Sequence, residues 1–220
     1  MLGVDLSDHR FRNRVAQVTV GLCRAAFAQS KVIATLARAD LLSAAAPNRR
    51  LVAETALRLH WLEGLTREDR RKAADAMLAK DRADTNKLIE YIREDGYEVD
   101  FDLEEMNAFE LDAATSGPIH QQATRLRAAV EASGVRPGTV YAMWLEETKF
   151  AHASGGLAGQ YAPTHDDLHM ADGTPSPIDP DLEAHRILQS LIVMTTCRIL
   201  VDEGFPDETA NRLAVAFFSE

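Results

Sequence analysis

Cysteine and aromatic residues are scarce in this sequence. Only two cysteines, Cys23 and Cys197, occur among 220 residues, and both lie within apolar helical patterns. This pattern argues against a disulfide framework and predicts two small core side chains in a reducing compartment. Aromatic residues make up only 6% of the chain, whereas alanine and leucine are plentiful. This bias favours helices, because strands prefer β-branched and aromatic residues.

The sequence also shows no long hydrophobic run and no recognisable signal peptide. The most apolar stretch, 187–200, is interrupted by Gln189, Ser190 and Arg198. It is shorter than the roughly 20 apolar residues that a membrane-spanning helix needs. Residues 1–7 show no basic segment followed by an apolar one, as a signal peptide would. We therefore expect a cytoplasmic protein without a membrane partner, and a buried core helix at 187–200.

Basic residues are fewer than acidic ones. The formal net charge is −10, which keeps the chain soluble and disfavours non-specific attraction to phosphate backbones or anionic membranes. Four basic residues, Arg10, Arg24, Lys31 and Arg38, nevertheless share one heptad position of the first predicted helix, and residues 94–112 hold nine acidic and no basic side chains. We expect these surfaces to be solvated or to pair with each other, and RNA phosphates are the alternative partner.

Common catalytic motifs are absent as well. The sequence has no Gly-rich phosphate loop, no Gly-x-Ser-x-Gly elbow and no Cys-x-x-Cys pair. Gly155, Gly156 and Gly159 lie close together, but no predicted strand precedes them, as a phosphate-binding loop requires. The common nucleotide-binding and hydrolase classes are therefore disfavoured.

Apolar residues instead recur every three to four positions along most of the chain, which predicts amphipathic helices. We predict an all-α, single-domain antiparallel bundle of about seven to eight helices spanning residues 1–220. The predicted helices run from Ser7 or Asp8 to about Asp40, from just after Asn48 to Gly64, from Thr66 to Gly96, over 102–116, from Pro118 to Gly134, from Pro137 to about His152, from Asp179 to Gly204, and after Pro206. Residues 154–181, rich in Gly, Pro, Asp and His, are predicted to form one long loop, a kind of segment that is commonly functional or disordered.

The second predicted helix carries one candidate site. Arg50, Glu54 and Arg58 are spaced four apart and therefore share one face. An arginine can hold a carboxylate through two hydrogen bonds, so Arg50 and Glu54 could orient each other or a ligand inside the bundle. The alternative is a ladder of solvated ion pairs of the kind that is common on helix surfaces.

Histidines give a second candidate. Four of the seven histidines lie between positions 152 and 185. Histidine is a common ligand of zinc, so we take His152, His165, Asp166 and His169 as candidate ligands of a divalent metal. The sequence has no His-Glu-x-x-His motif, however, and no glutamate lies between His165 and His169 to act as a base. A surface loop rich in histidine and aspartate is the alternative interpretation.

Arg50-x-x-x-Glu54, followed much later by Tyr141 and by His152-Ala-Ser154, resembles a domain-of-unknown-function family of helical bacterial proteins. That family is similar in outline to the HEPN-type bundles found near toxin and phage-defence genes. The resemblance implies that Arg50, Glu54, His152 and Ser154 meet inside the bundle as candidate catalytic residues. The HEPN ribonuclease signature, an arginine followed by four to six residues and a histidine, has no clear copy in this sequence.

These observations lead to one functional expectation and one alternative. We expect a regulatory or binding module, homodimeric, that recognises a protein or small-molecule ligand through the long loop and the Arg50/Glu54 face; a link to stress or phage defence follows only from the resemblance. The alternative is an enzyme: a metal-dependent hydrolase, or a HEPN-like ribonuclease with its site at Arg50, Glu54 and His152.

Overall fold

The computed structural model describes residues 14–100, 116–134, 140–161 and 182–219, together with Glu104 and Asn107. Within this part of the chain the structure is helical and contains no strand, so the predicted all-α class is confirmed. It comprises α1 (Arg14–Arg38), a short 3-10 helix (Leu42–Ala45), α2 (Ala46–Gly64), α3 (Arg67–Glu94), α4 (Pro118–Thr124), α5 (Leu126–Ser133), α6 (Val140–Ala151), α7 (Gly155–Tyr161), α8 (Glu183–Asp202) and α9 (Asp207–Phe218).

Several helix ends form where the sequence predicts them. The Thr66 hydroxyl accepts a hydrogen bond from the Asp69 backbone N–H at 3.1 Å and so caps α3. Pro118 is the first residue of α4, and Gly134 ends α5 with a left-handed φ of 68° that glycine adopts without strain. The polar stretch 80–87 remains helical, and its side chains are exposed or half-buried.

The helix predicted from Pro118 to Gly134 is two helices, which corrects the sequence interpretation. Arg125 breaks it with an extended backbone, φ −129° and ψ 112°. In a continuous helix the carbonyls of Gln122 and Ala123 would accept from N–H groups four residues further along. Here Arg58 donates to both of them at 2.9 Å. Arg58 therefore satisfies these two carbonyls at the break.

The predicted loop 154–181 is also partly wrong, because Gly155–Tyr161 forms α7. The Ser154 hydroxyl accepts from the Leu157 backbone N–H at 3.2 Å, as an N-cap side chain does. This cap compensates for the poor helix propensity of the glycines that follow. The remainder of the predicted loop, 162–181, lies outside the described residues.

Helix α2 is the centre of the described bundle. It packs against α1, α5, α6 and α8, and a helix covered on several sides needs apolar residues around much of its circumference. Its buried residues are Ala46, Val52, Ala53, Thr55, Ala56, Leu57, Leu59, Trp61 and Leu62.

Cys23 and Cys197 are buried and free, as predicted, and burial raises the pKa of the Cys23 thiol to about 11.

The apolar spacing of the sequence predicts six residues on the buried sides of their helices that are exposed in the structure. They are Ala25, Val32, Leu51, Leu88, Leu145 and Val215. On α1 the buried side is turned away from Ala25 and Val32, and it consists of Val15, Ala16, Val18, Thr19, Val20, Cys23, Ala26 and Ile33. Which side of a helix is covered depends on its neighbours, and an alanine- and leucine-rich helix offers more than one apolar side.

One described helix, α8, is long and apolar enough to cross a membrane by length and composition. Half of its apolar window is buried inside the bundle, where α8 packs against α1, α2 and α9. A core helix of a soluble protein has these properties, and this agrees with the core helix predicted at 187–200. The cytoplasmic location stays a prediction.

Candidate functional site

Helix α6 lies across the central helix α2 without burying any of its residues completely. Two groups of side chains attach it. One group contains Arg50, Glu54 and Trp144, and the other contains Arg49 and Glu147. The first group includes Arg50 and Glu54 of the predicted site, whereas the second group was not predicted.

In the first group, Trp144 lies between the two predicted site residues. Its indole N–H donates to Glu54 Oε2 at 3.3 Å, and the Arg50 guanidinium lies 5.5 Å from the ring centroid. The Tyr141 ring stacks on Trp144 with centroids 5.6 Å apart. The structure thus brings Arg50 and Glu54 together through an aromatic ring, with no direct ion pair between them among the described contacts.

The predicted ladder does not extend to Arg58. That guanidinium donates to the carbonyls at the α4–α5 break, and burial lowers its pKa while the nearby Glu54 carboxylate raises it. Arg50 Nε is buried without a hydrogen-bond partner. Glu54 and Arg58 thus support neighbouring helices through hydrogen bonds, Glu54 to α6 and Arg58 to the α4–α5 break.

The other two candidate catalytic residues lie elsewhere. His152 is exposed just after α6 ends. The number of residues between Trp144 and His152 corresponds to about 12 Å along a helix. The Ser154 hydroxyl donates to the Lys149 carbonyl and caps α7. Within the described part of the chain, no hydrogen bond or ion pair joins either residue to Arg50 or Glu54.

The predicted metal ligands His165, Asp166 and His169 lie outside the described residues. Among the residues that are described, no group of three or more His, Cys, Asp or Glu side chains is arranged to hold a metal ion. The divalent metal stays a prediction. The basic residues Arg24, Lys31 and Arg38 are exposed on α1, and whether this stripe pairs with another surface stays a prediction.

The second group is a largely buried ion pair that joins α2 to α6. Arg49 donates to both carboxylate oxygens of Glu147, from Nε at 2.7 Å and from Nη2 at 2.9 Å, and Nη1 donates to the Leu42 carbonyl at 2.5 Å. The side chains of Arg49 and Glu147 are 11% and 14% exposed. This two-pronged geometry is the strong form of the arginine–carboxylate interaction.

A cavity of about 390 Å³ borders this ion pair. Helices α6 and α8 both pack on α2 but hardly on each other, so a space remains between them above α2. Alanines on all three helices leave that space open, because their side chains are too short to fill it. The lining residues are Arg49, Ala53, Ala142, Met143, Glu146, Glu147, Leu182, Ala184, His185 and Leu188.

His185 is the buried polar residue of the α8 wall. Its Nε2 lies 3.0 Å from the Ser30 hydroxyl, which itself donates to the Ala26 carbonyl at 2.9 Å. Since the one hydroxyl proton of Ser30 is used there, Ser30 accepts from His185 Nε2–H. Burial, and then the nearby Arg49, lower the pKa of His185 below its ordinary value of 6.5. The imidazole is therefore neutral near pH 7, and Nδ1 carries a lone pair.

A polar cluster occurs where α2, α3 and α8 meet. Arg70 donates to the carboxylates of Asp202 and Glu203 at 2.6 and 2.9 Å. It also donates to the carbonyls of Leu62 and Leu65, at 2.9 and 3.0 Å, near the end of α2. The charged residues over this corner pair with one another, Arg198 with Glu63 and Arg67 with Glu203. The cluster thus satisfies its own charges and a helix end.

Comparison with known proteins finds no family model that matches this chain, and no curated protein or solved structure with significant similarity to it. The resemblance to helical bacterial families and HEPN-type bundles thus stays a prediction.

Proposed function

We propose that this protein is a non-catalytic regulatory or ligand-binding module whose ligand site is the cavity between α2, α6 and α8. The observation that carries the proposal is the cavity itself. Apolar side chains make up most of its lining. Its few polar groups are held by hydrogen bonds: Arg49 and Glu147 bind each other within the wall, and His185 contacts Ser30 outside the cavity. A mostly apolar pocket of ~300–1,000 Å³ with few fixed polar groups is the usual form of a small-molecule site.

The roles of the predicted catalytic residues also favour binding over catalysis. Glu54 accepts from Trp144, and Ser154 caps α7. Each side chain therefore already serves the packing or the capping of a helix. A nucleophile or general base would instead need to lie within hydrogen-bond reach of a second catalytic group.

The proposal is tested with a library of small fragments of all charge classes, detected by ligand-observed saturation-transfer NMR. Ala142 lies in the cavity wall on an exposed side of α6, so Ala142→Phe should fill the space without disturbing the core. Ala132→Phe, at an exposed position of α5, is the matched control. We expect fragments that bind the wild type and Ala132→Phe but not Ala142→Phe. If no fragment shows this pattern, the proposed function is wrong.

The homodimer remains part of the proposal. On α8, Ile187, Met194 and Val201 are exposed by 60%, 39% and 40% and are spaced seven apart. Two copies of α8 related by a two-fold axis would place Met194 against its counterpart and Ile187 against Val201. We expect a dimer by light scattering at micromolar concentration and a monomer for Met194→Asp. A monomeric wild type would remove the dimer from the proposal without affecting the cavity.

A further inference from the structure

We propose that the ligand of the α2–α6–α8 cavity is a small uncharged molecule with a mainly apolar body and a single N–H or O–H donor. This inference rests on the proposed function and specifies the chemistry of the same site. Three properties of the cavity support it: its size, its balanced charges and the free acceptor of His185.

The size of the cavity admits a two-ring compound. An engineered apolar cavity of ~150 Å³ holds benzene, and the cavity described here is more than twice as large at about 390 Å³. Ala53 at the floor is 1% exposed, and Met143 and Leu188 add larger apolar surfaces to the wall. Most of the ligand surface would therefore contact hydrocarbon, which favours an apolar body.

The charges of the wall are already balanced. Arg49 is paired with Glu147 through two hydrogen bonds, and Glu146 is paired with Lys149 at 2.7 Å. A charged ligand would have to compete for one of these partners or stay unpaired in a mostly apolar space, and either outcome is unfavourable. The wall therefore selects against ammonium and carboxylate groups.

His185 supplies the directional contact. Because Nε2–H donates to Ser30, the other ring nitrogen is an acceptor. No hydrogen bond to Nδ1 occurs among the described residues, and the ring lines the cavity. A ligand that donates one hydrogen bond would satisfy this nitrogen, whereas a ligand with only acceptors would not.

The test uses indole as the probe, with 1-methylindole as the analogue that lacks the donor and with tryptamine and indole-3-acetate as the charged analogues. Dissociation constants are measured by calorimetry on the full chain. We expect indole to bind about three- to tenfold more tightly than 1-methylindole, the factor that one neutral hydrogen bond gives. Both charged analogues should bind more weakly than indole. Ala142→Phe should abolish binding, and Ala132→Phe should leave it unchanged.

His185→Phe keeps a planar ring and removes the acceptor, so it should bind indole and 1-methylindole equally. If this variant does not fold, the indole to 1-methylindole ratio in the wild type still tests the donor. A ratio near one overturns the donor requirement. Tighter binding of a charged analogue, lost in Ala142→Phe, overturns the charge requirement while the proposed function stands. If neither the probes nor any library fragment binds, the proposed function itself fails.

Discussion

Two buried arginine–glutamate pairs in this molecule differ in what surrounds them. Arg70 is 3% exposed and divides its donors among two carboxylates and backbone carbonyls at the end of α2. Arg49 pairs with Glu147 and one carbonyl, and its other neighbours include alanines that leave a cavity. The same interaction thus closes a corner of the bundle where backbone carbonyls surround it. Where short apolar side chains surround it, it borders a cavity.

The comparison predicts that Arg70→Met has the largest effect on stability. The change leaves Glu203, whose side chain is 0% exposed, without its closest cation, and it removes donors from the end of α2. We expect a loss of about 3–5 kcal/mol in the free energy of unfolding, measured by urea denaturation. Lys72→Met, which removes an exposed pair with Glu68, is the control and should cost less than about 1 kcal/mol. Equal losses in the two variants would contradict the structural role of Arg70.

Arg49→Met should cost less, about 1–3 kcal/mol, because its ion pair retains some solvent contact. The uncompensated Glu147 should also make the cavity negative, so indole should bind more weakly and tryptamine more tightly. In a double-mutant cycle, Arg49→Met with Glu147→Leu should recover most of the stability, because neither charge is then left alone. A double variant as unstable as the sum of the single ones would show that the pair is not coupled.

Trp144→Phe tests the group of Arg50, Glu54 and Trp144 that attaches α6 to α2. The change leaves a smaller aromatic ring and removes the hydrogen bond to Glu54, so we expect a cost of at least about 1 kcal/mol by urea denaturation. Tyr141→Phe keeps the neighbouring stacked ring and removes only a hydroxyl, so it should change stability by less than about 0.5 kcal/mol. If Tyr141→Phe costs as much as Trp144→Phe, the Trp144–Glu54 contact does not attach α6.

The smallest effect concerns pH. The lowered pKa of His185 means that the unfolded chain binds more protons than the folded one just below pH 6.5. Stability is therefore complete above that pH and falls as the pH drops toward the folded pKa. Comparing unfolding at about pH 7.5 and about pH 5.5, His185→Gln should lose part of this decrease. His152→Gln, at an exposed position, should retain it; an identical pH response in all three proteins would contradict the assignment.

Much of the helical architecture was predictable because it depends on local chemistry. Apolar spacing, the Thr66 cap and the conformation of Gly134 act within a few residues of the chain, and each formed as expected. The α7 helix was missed because its glycines and the composition of 154–181 favour a loop, although Ser154 was available as a cap. The wrong faces of α1 and α3 arose because several sides of these helices carry apolar residues.

The candidate site could be predicted only in part. Arg50 and Glu54 were found from their spacing on one helix, but Trp144 lies 90 residues beyond Glu54. Arg49 and Glu147 are separated by 98 residues, and neither belongs to a local motif. No signal in the sequence alone connects such pairs.

The sequence by itself determined that this chain forms helices, where several of them begin and end, and that its cysteines are core residues. Local hydrogen bonding and the burial of apolar side chains are sufficient for these properties. Only the tertiary structure decided which side of each helix is covered, which charges are paired and where a cavity remains. These depend on how α6 and α8 pack on α2, and therefore on contacts between residues far apart in the chain.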